Sequence, residues 1–219
     1  MRKYFYYQMD LMILNVLSLV LMILLLIPNL FLFEYQMNSF TFLFLILYLF
    51  LHECFHGLGF YFCGKAKHKN IVYGIELEKG IFYCMCKEEI NKLGICMSLL
   101  FPFLFLGVLT GMISYIFYLP LLNLLSIMNV AGAIGDLLMF MMIFPMEDVC
   151  YKDLDDTSGF ILLSNEDLRL KKHFGFKIKE MGEEKGLEAK DYKKITITKF
   201  SIILLGLLVF FSLFGGLLK

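Results

Sequence analysis

Neither sign of charge is in excess in this chain, where 20 lysines and arginines face 20 aspartates and glutamates. Net charge therefore points to no class of partner. The basic residues form no stripe interleaved with aromatics, which excludes the usual nucleic-acid-binding surface. No internal repeat or low-complexity tract stands out. The first apolar run lacks a small-residue cleavage site and is too long for the apolar part of a signal peptide, so it reads as a retained span. The 6 cysteines do not amount to a disulfide framework. Four of them, Cys63, Cys84, Cys86 and Cys150, fall in segments that the charge pattern assigns to a reducing compartment. The Cys84-x-Cys86 spacing is also too tight for an ordinary zinc pair.

The most informative lack is of charge along five stretches: 11–33, 40–62, 95–118, 121–144 and 200–218. None contains a lysine or an arginine. Each is near or above the ~20 residues a helix needs to cross a ~30 Å hydrocarbon core. Hydrophobic residues make up 59% of the 219, and mean hydropathy is +0.74, against about 45–50% apolar residues in a soluble domain. Open sheet edges cannot sit in lipid, so the stretches are expected to be helices.

Lysine and arginine mark the loops. The amino terminus holds Arg2 and Lys3, residues 63–94 hold 6 basic residues and residues 145–199 hold 11, whereas connectors 34–39 and 119–120 hold none. The positive-inside rule then places the amino terminus and both rich segments in the cytoplasm. Alternation through five spans agrees. The fold expected is an all-α polytopic membrane protein of about five transmembrane helices, with a small cytoplasmic β-hairpin between the second and third. Four regions follow: 1–39 with the first helix and a short outer loop, a membrane core at 40–145, a cytoplasmic segment at 146–199, and a last helix at 200–219. The hairpin is expected from 71–77 (IVYGIEL) and 81–86 (IFYCMC), rich in β-branched and aromatic residues and joined by the turn-like Glu78-Lys79-Gly80. Pro102 is a candidate kink in the third span. The 145–199 segment opens with an acidic run, Glu147-Asp148 and 153–156. It reads as a solvated tail, with 168–194 a candidate helix.

Within the second span the chain reads LHECFHGLGF. His52 and His56 are four apart, so they project from one helix face and can grip one metal ion, with Glu53 beside them to take a proton from an activated water. A charged residue at mid-span costs about 2.5–3.5 kcal/mol even on the lenient insertion scale, so such residues need a reason. Well inside the spans the ionisable set is His52, Glu53, His56 and Asp136. Catalytic zinc usually takes three protein ligands, and Asp136 is the candidate third. At about 1.5 Å per residue, His56, His52 and Asp136 lie ~9, ~15 and ~12 Å from the cytoplasmic ends of their spans, on one level. In NVAGAIGDL, Asn129, Gly132 and Asp136 share a helical face. Gly57, Gly59, Gly132 and Gly135 are expected to let helices approach closely. Asn129 could orient a substrate carbonyl or a ligand, or serve helix packing. Two other uses of the set stay open, an ion or proton pathway and a purely structural site.

The blocks HECFHGLGF, FYCMCKEEINKLGICMSLLFPF and GAIGDLLMFMMIFPMEDVCYKD with the following SGF resemble the family of bacterial membrane proteins described as putative zincin peptidases, distant relatives of the site-2 intramembrane proteases. The resemblance covers about residues 51–163. It implies His52, His56 and Asp136 as metal ligands, Zn²⁺ as cofactor, and Glu53 as catalytic acid and base. True site-2 proteases resemble one another in a longer Asn-to-Asp motif ending Leu-Asp-Gly, where this chain has GDL. The function expected is a membrane-embedded zinc metallopeptidase acting on a membrane-anchored protein or peptide near the cytoplasmic face of a bacterial cell membrane. The alternatives are a membrane scaffold with a structural metal, or a transporter.

Overall fold

Side-chain caps open the first two helices. Asp10 caps α1 (Leu11–Leu30) by accepting from the Ile13 N–H at 3.4 Å, and Asn38 forms a reciprocal capping box with Thr41 at the start of α2 (Ser39–Phe62). Such side chains satisfy N–H groups that have no partner in a first turn. The computed structural model describes residues 3–76, 81–153, 159–165, 174 and 176–181. The expected last span, 200–218, lies outside the described residues.

Among the described residues three helical stretches are long and apolar enough to cross a membrane: Leu11–Leu30, Thr41–Phe62 and Lys92–Phe117. Their outward surface is apolar too. Met12 is 77% exposed, Leu24 64% and Phe62 66%, which suits lipid and not water. The third stretch is compound. It comprises α3 (Lys92–Phe101), a π-helical segment (Pro102–Leu109) and α4 (Thr110–Phe117). Pro102 has no N–H to give the turn before it, and the wider turns that follow offer carbonyls to neighbouring side chains. Asn129 Nδ2 donates to Pro102 O at 2.9 Å, the Tyr48 hydroxyl to Leu106 O at 2.8 Å and Ser126 Oγ to Gly107 O at 2.7 Å.

The fourth expected span, 121–144, is not one helix. It is α5 (Pro120–Gly132) and α6 (Ile134–Ile143), bent by 45° at Ala133. The glycine roles divide as well. A Cβ on Gly59 would lie 2.3 Å from Ser98 Cα, so α2 and α3 touch backbone to backbone there. Gly57 instead makes room for the Tyr73 hydroxyl. Gly132 has nothing within 4 Å, and Gly135 meets only a Leu14 methyl at 3.7 Å. These last two sit at the bend and bring no helices together.

The all-α expectation gives way to a mixed fold, mostly helical but with two sheets. β2 (Ile71–Glu76) pairs antiparallel with β3 (Ile81–Cys86), Tyr73 opposite Cys84. Leu77 and the expected turn lie outside the described residues. A five-stranded antiparallel sheet has the order β4 (Ile90–Asn91), β5 (Cys150–Asp153), β6 (Gly159–Ser164), β1 (Lys3–Met9), β7 (Phe176–Met181). Phe5 and Tyr7 of β1 face Leu162 and Phe160 of β6 across the ladder. All four are buried with Phe60 at the end of α2, Ile95 at the start of α3, and Ile143 and Met146 at the end of α6. The sheet thus caps one end of the helices. The solvated-tail reading of 145–199 is overturned in its first part, because Phe160, Ile161, Leu162 and Leu163 are each 2% exposed or less. Within 168–194, residues Phe176–Met181 are strand, not helix; 168–173, 175 and 182–194 lie outside the described residues.

Candidate metal centre

His52, Glu53 and His56 all stand on α2, with the two imidazoles on one face as the four-residue spacing requires. Asp136 comes from the first turn of α6, just past the bend. The structure brings the expected three together. His52 Nε2 lies 3.0 Å from His56 Nε2, and the Asp136 Oδ2 atom lies 3.2 Å from the first and 3.5 Å from the second. Two ligands bound at ~2.0–2.1 Å in tetrahedral geometry stand about 3.3 Å apart. The donor set therefore fits a single tetrahedral cation.

The hydrogen bonds behind the imidazoles explain why a cation suits the triangle. Asn129 gives its Nδ2–H to Pro102 O at 2.9 Å, so its Oδ1 is the atom 2.8 Å from His52 Nδ1 and must accept. His56 Nδ1 lies 2.9 Å from Ser98 O, which can only accept. Both neutral rings then carry their proton on Nδ1 and aim the Nε2 lone pair inward. Two lone pairs and a carboxylate oxygen face one another, an arrangement that a metal ion satisfies and that backing hydrogen bonds of this kind normally support. Ser98 also returns a hydrogen bond, Oγ to His56 O at 2.9 Å, across the α2–α3 contact. These three residues, His52, His56 and Asp136, could hold a metal, and their ligand atoms all lie within 4.8 Å of one another.

The triangle opens onto a cavity of about 290 Å³. Its walls come from two sources. The helices supply the metal donors and Glu53. The strands supply Phe82–Met85 of β3, Tyr151 and Asp153 of β5, and Phe160 of β6. Glu53 is turned towards β3, where the backbone N–H of Cys84 bonds its carboxylate. Cys84 stands outside the group of three donors; burial, then the nearby Glu53 carboxylate, push its thiol far above the ordinary range. Asp153 accepts from the Cys86 N–H at 2.7 Å and from the Tyr151 hydroxyl. Burial raises its carboxyl from 3.8 to about 6, against the pull of those two hydrogen bonds.

Sequence reasoning missed Ser98, Tyr151 and Asp153. Ser98 carried no signal, since its contribution is a backbone carbonyl. Tyr151 and Asp153 left a faint one, two polar-tipped residues at the strand spacing of two.

Residues 45–151 match the model of a family described as putative zincin peptidase. The match runs from within α2 into β5 and takes in His52, Glu53, His56, Asn129 and Asp136. The match makes this stretch similar to that family, which suggests a metallopeptidase, and the His-His-Asp group could hold the metal such a peptidase needs. No curated protein and no solved structure matches the chain.

Proposed function

We propose that the chain is a membrane-embedded zinc metallopeptidase that hydrolyses peptide bonds of a membrane-anchored protein or peptide near the cytoplasmic face. The observation that carries this reading is the convergence of three metal donors from two helices, beside Glu53 and on a cavity. A structural zinc site is closed by four protein ligands, whereas a catalytic one keeps a position open. Here three donors leave that position facing the cavity.

Zinc, when bound, would supply a water acidic enough to attack near neutral pH and would polarise the substrate carbonyl. The Glu53 carboxylate takes the proton from the attacking water and returns it to the leaving amine. The Cys84 N–H keeps that carboxylate aimed along β3. Asn129 and the Ser98 carbonyl hold the imidazoles in the tautomer that presents Nε2. A helix hides its carbonyls, so the substrate is extended at the scissile bond and lies along the strands that wall the cavity. Excising the 71–86 hairpin is expected to abolish cleavage while zinc stays bound.

The orientation rests on the basic residues. The sheet gathers residues 3–9, 90–91, 150–153, 159–164 and 176–181 at one end of the helices. All come from the segments that carry lysine and arginine, which supports placing that end in the cytoplasm.

The test is elemental analysis of the purified chain beside Asp136→Ala, with peptide cleavage measured in parallel. Near-stoichiometric zinc lost on substitution supports the site. A Glu53→Gln variant that keeps zinc and loses turnover marks an enzyme. Unchanged biological activity in Glu53→Gln marks a scaffold, and ion flux in liposomes marks a transporter.

A further inference from the structure

The outer edge of β3 is held by two carboxylates, and only one of them belongs to the proposed chemistry. Cys84 and Cys86 are two apart, so their N–H groups point to the same side of the strand. That side faces away from β2, because the Cys86 N–H reaches Asp153 Oδ2 on β5 at 2.7 Å. The Cys84 N–H, next along the same edge, goes to Glu53 on α2.

Asp153 is itself fixed from behind. The Tyr151 hydroxyl, on the same strand and the same face, donates to its other oxygen. The Tyr151 ring is buried, 6.4 Å from the Phe60 ring of α2 and 5.5 Å from the Phe160 ring of β6. A rigid line thus runs from the end of α2 through Tyr151 and Asp153 to the backbone of β3. Sheet pairing makes no such link: β2 and β3 form a separate two-stranded sheet, and β4 pairs with β5 only at Tyr151 and Cys150, short of Asp153. Asp153 is where the five-stranded sheet reaches the hairpin.

We infer that Asp153, braced by Tyr151, is a positioning residue that fixes the edge of β3 across the cavity, in the register that sets the Cys84 N–H on Glu53. It touches neither the metal donors nor the attacking water. Its effect is on where the strand wall stands, and so on how well an extended substrate is received. The kinetic part of this inference rests on the metallopeptidase reading; the structural part does not.

The experiment uses the full chain in detergent as wild type, Tyr151→Phe, Asp153→Asn and Asp153→Ala. Hydrogen–deuterium exchange is followed over residues 81–86, with zinc content and cleavage of a fluorescence-quenched β-casein measured on the same samples. Exchange at 81–86 is expected to speed up about tenfold in Asp153→Ala, the scale of one lost hydrogen bond to a charged group. Asp153→Asn, which keeps one acceptor, and Tyr151→Phe, which keeps the packing, fall in between. Zinc content stays at the wild-type level, and kcat/KM falls about tenfold. Unaltered exchange at 81–86 in all three variants overturns the inference, as does a loss of kcat and zinc together without a change in KM. Tyr151→Phe removes one oxygen and decides the matter if the Asp153 variants do not fold. Absence of cleavage by the wild type refutes the peptidase reading alone, and exchange then still decides whether Asp153 holds β3.

Discussion

The helical wall of the cavity and the strand wall hold their polar groups by different means. On the helical side the donors are side chains, and the two imidazoles of α2 are locked by hydrogen bonds to a side-chain amide and a backbone carbonyl of neighbouring helices: His52 to Asn129, His56 to Ser98. On β3 it is the backbone N–H groups of Cys84 and Cys86 that are held, by side chains of α2 and β5. The first wall can tune a metal; the second shapes the space beside it. The difference also sets tolerance. A rotated imidazole loses a ligand outright, whereas a displaced strand loses fit by degrees.

That contrast is open to breaking. Asp136→Ala, on the helical wall, is expected to take zinc and cleavage together to background, measured by elemental analysis and peptide hydrolysis. Glu53→Gln, at the seam between the walls, should lower turnover by about 10²–10⁴-fold with zinc retained, the usual worth of a general base. Asn129→Ala leaves all three donors but frees His52 Nδ1, and metal affinity is expected to fall about 10–100-fold in competition with a chelator. A comparable fall in Asp153→Asn would erase the distinction between the walls.

The smallest effect concerns pH. The fold raises the Asp153 carboxyl from 3.8 to about 6 through burial. A raised acid favours its protonated form in the folded state. Its stabilising contribution is therefore complete below pH 3.8 and is lost as pH rises through about 6. Wild type should lose on the order of 1 kcal/mol relative to Asp153→Asn between these limits, because the side chain is partly open to the cavity. Thermal unfolding in detergent at pH 4 and at pH about 7 reads this directly. Equal slopes for the two proteins would show that the carboxyl is not buried as described.

The helical wall was legible because its signals are local. The apolar runs are long enough to cross a membrane, and His52 and His56 are one turn apart. The level of Asp136 followed from counting residues to the end of its span, although the chain there is bent at Ala133 and Gly132 packs against nothing. The strand wall was not legible. Lys3–Met9 looks like the flank of a span until it is laid between Gly159–Ser164 and Phe176–Met181. Asp153 looked like part of a solvated acidic run because its meaning depends on a strand that ends beside Cys86.

By itself the sequence determined three apolar helical stretches, the histidine pair and the aspartate that joins it. These depend on hydrogen bonds and side-chain spacings within a few residues, and on the cost of charge in hydrocarbon. The tertiary structure decided that residues 3–9 lie in a sheet between 159–164 and 176–181, that Phe160, Leu162 and Phe176 pack onto the helix ends, and that Asp153 reaches β3. Strand pairing joins residues far apart in the chain, and no local pattern records which partner wins.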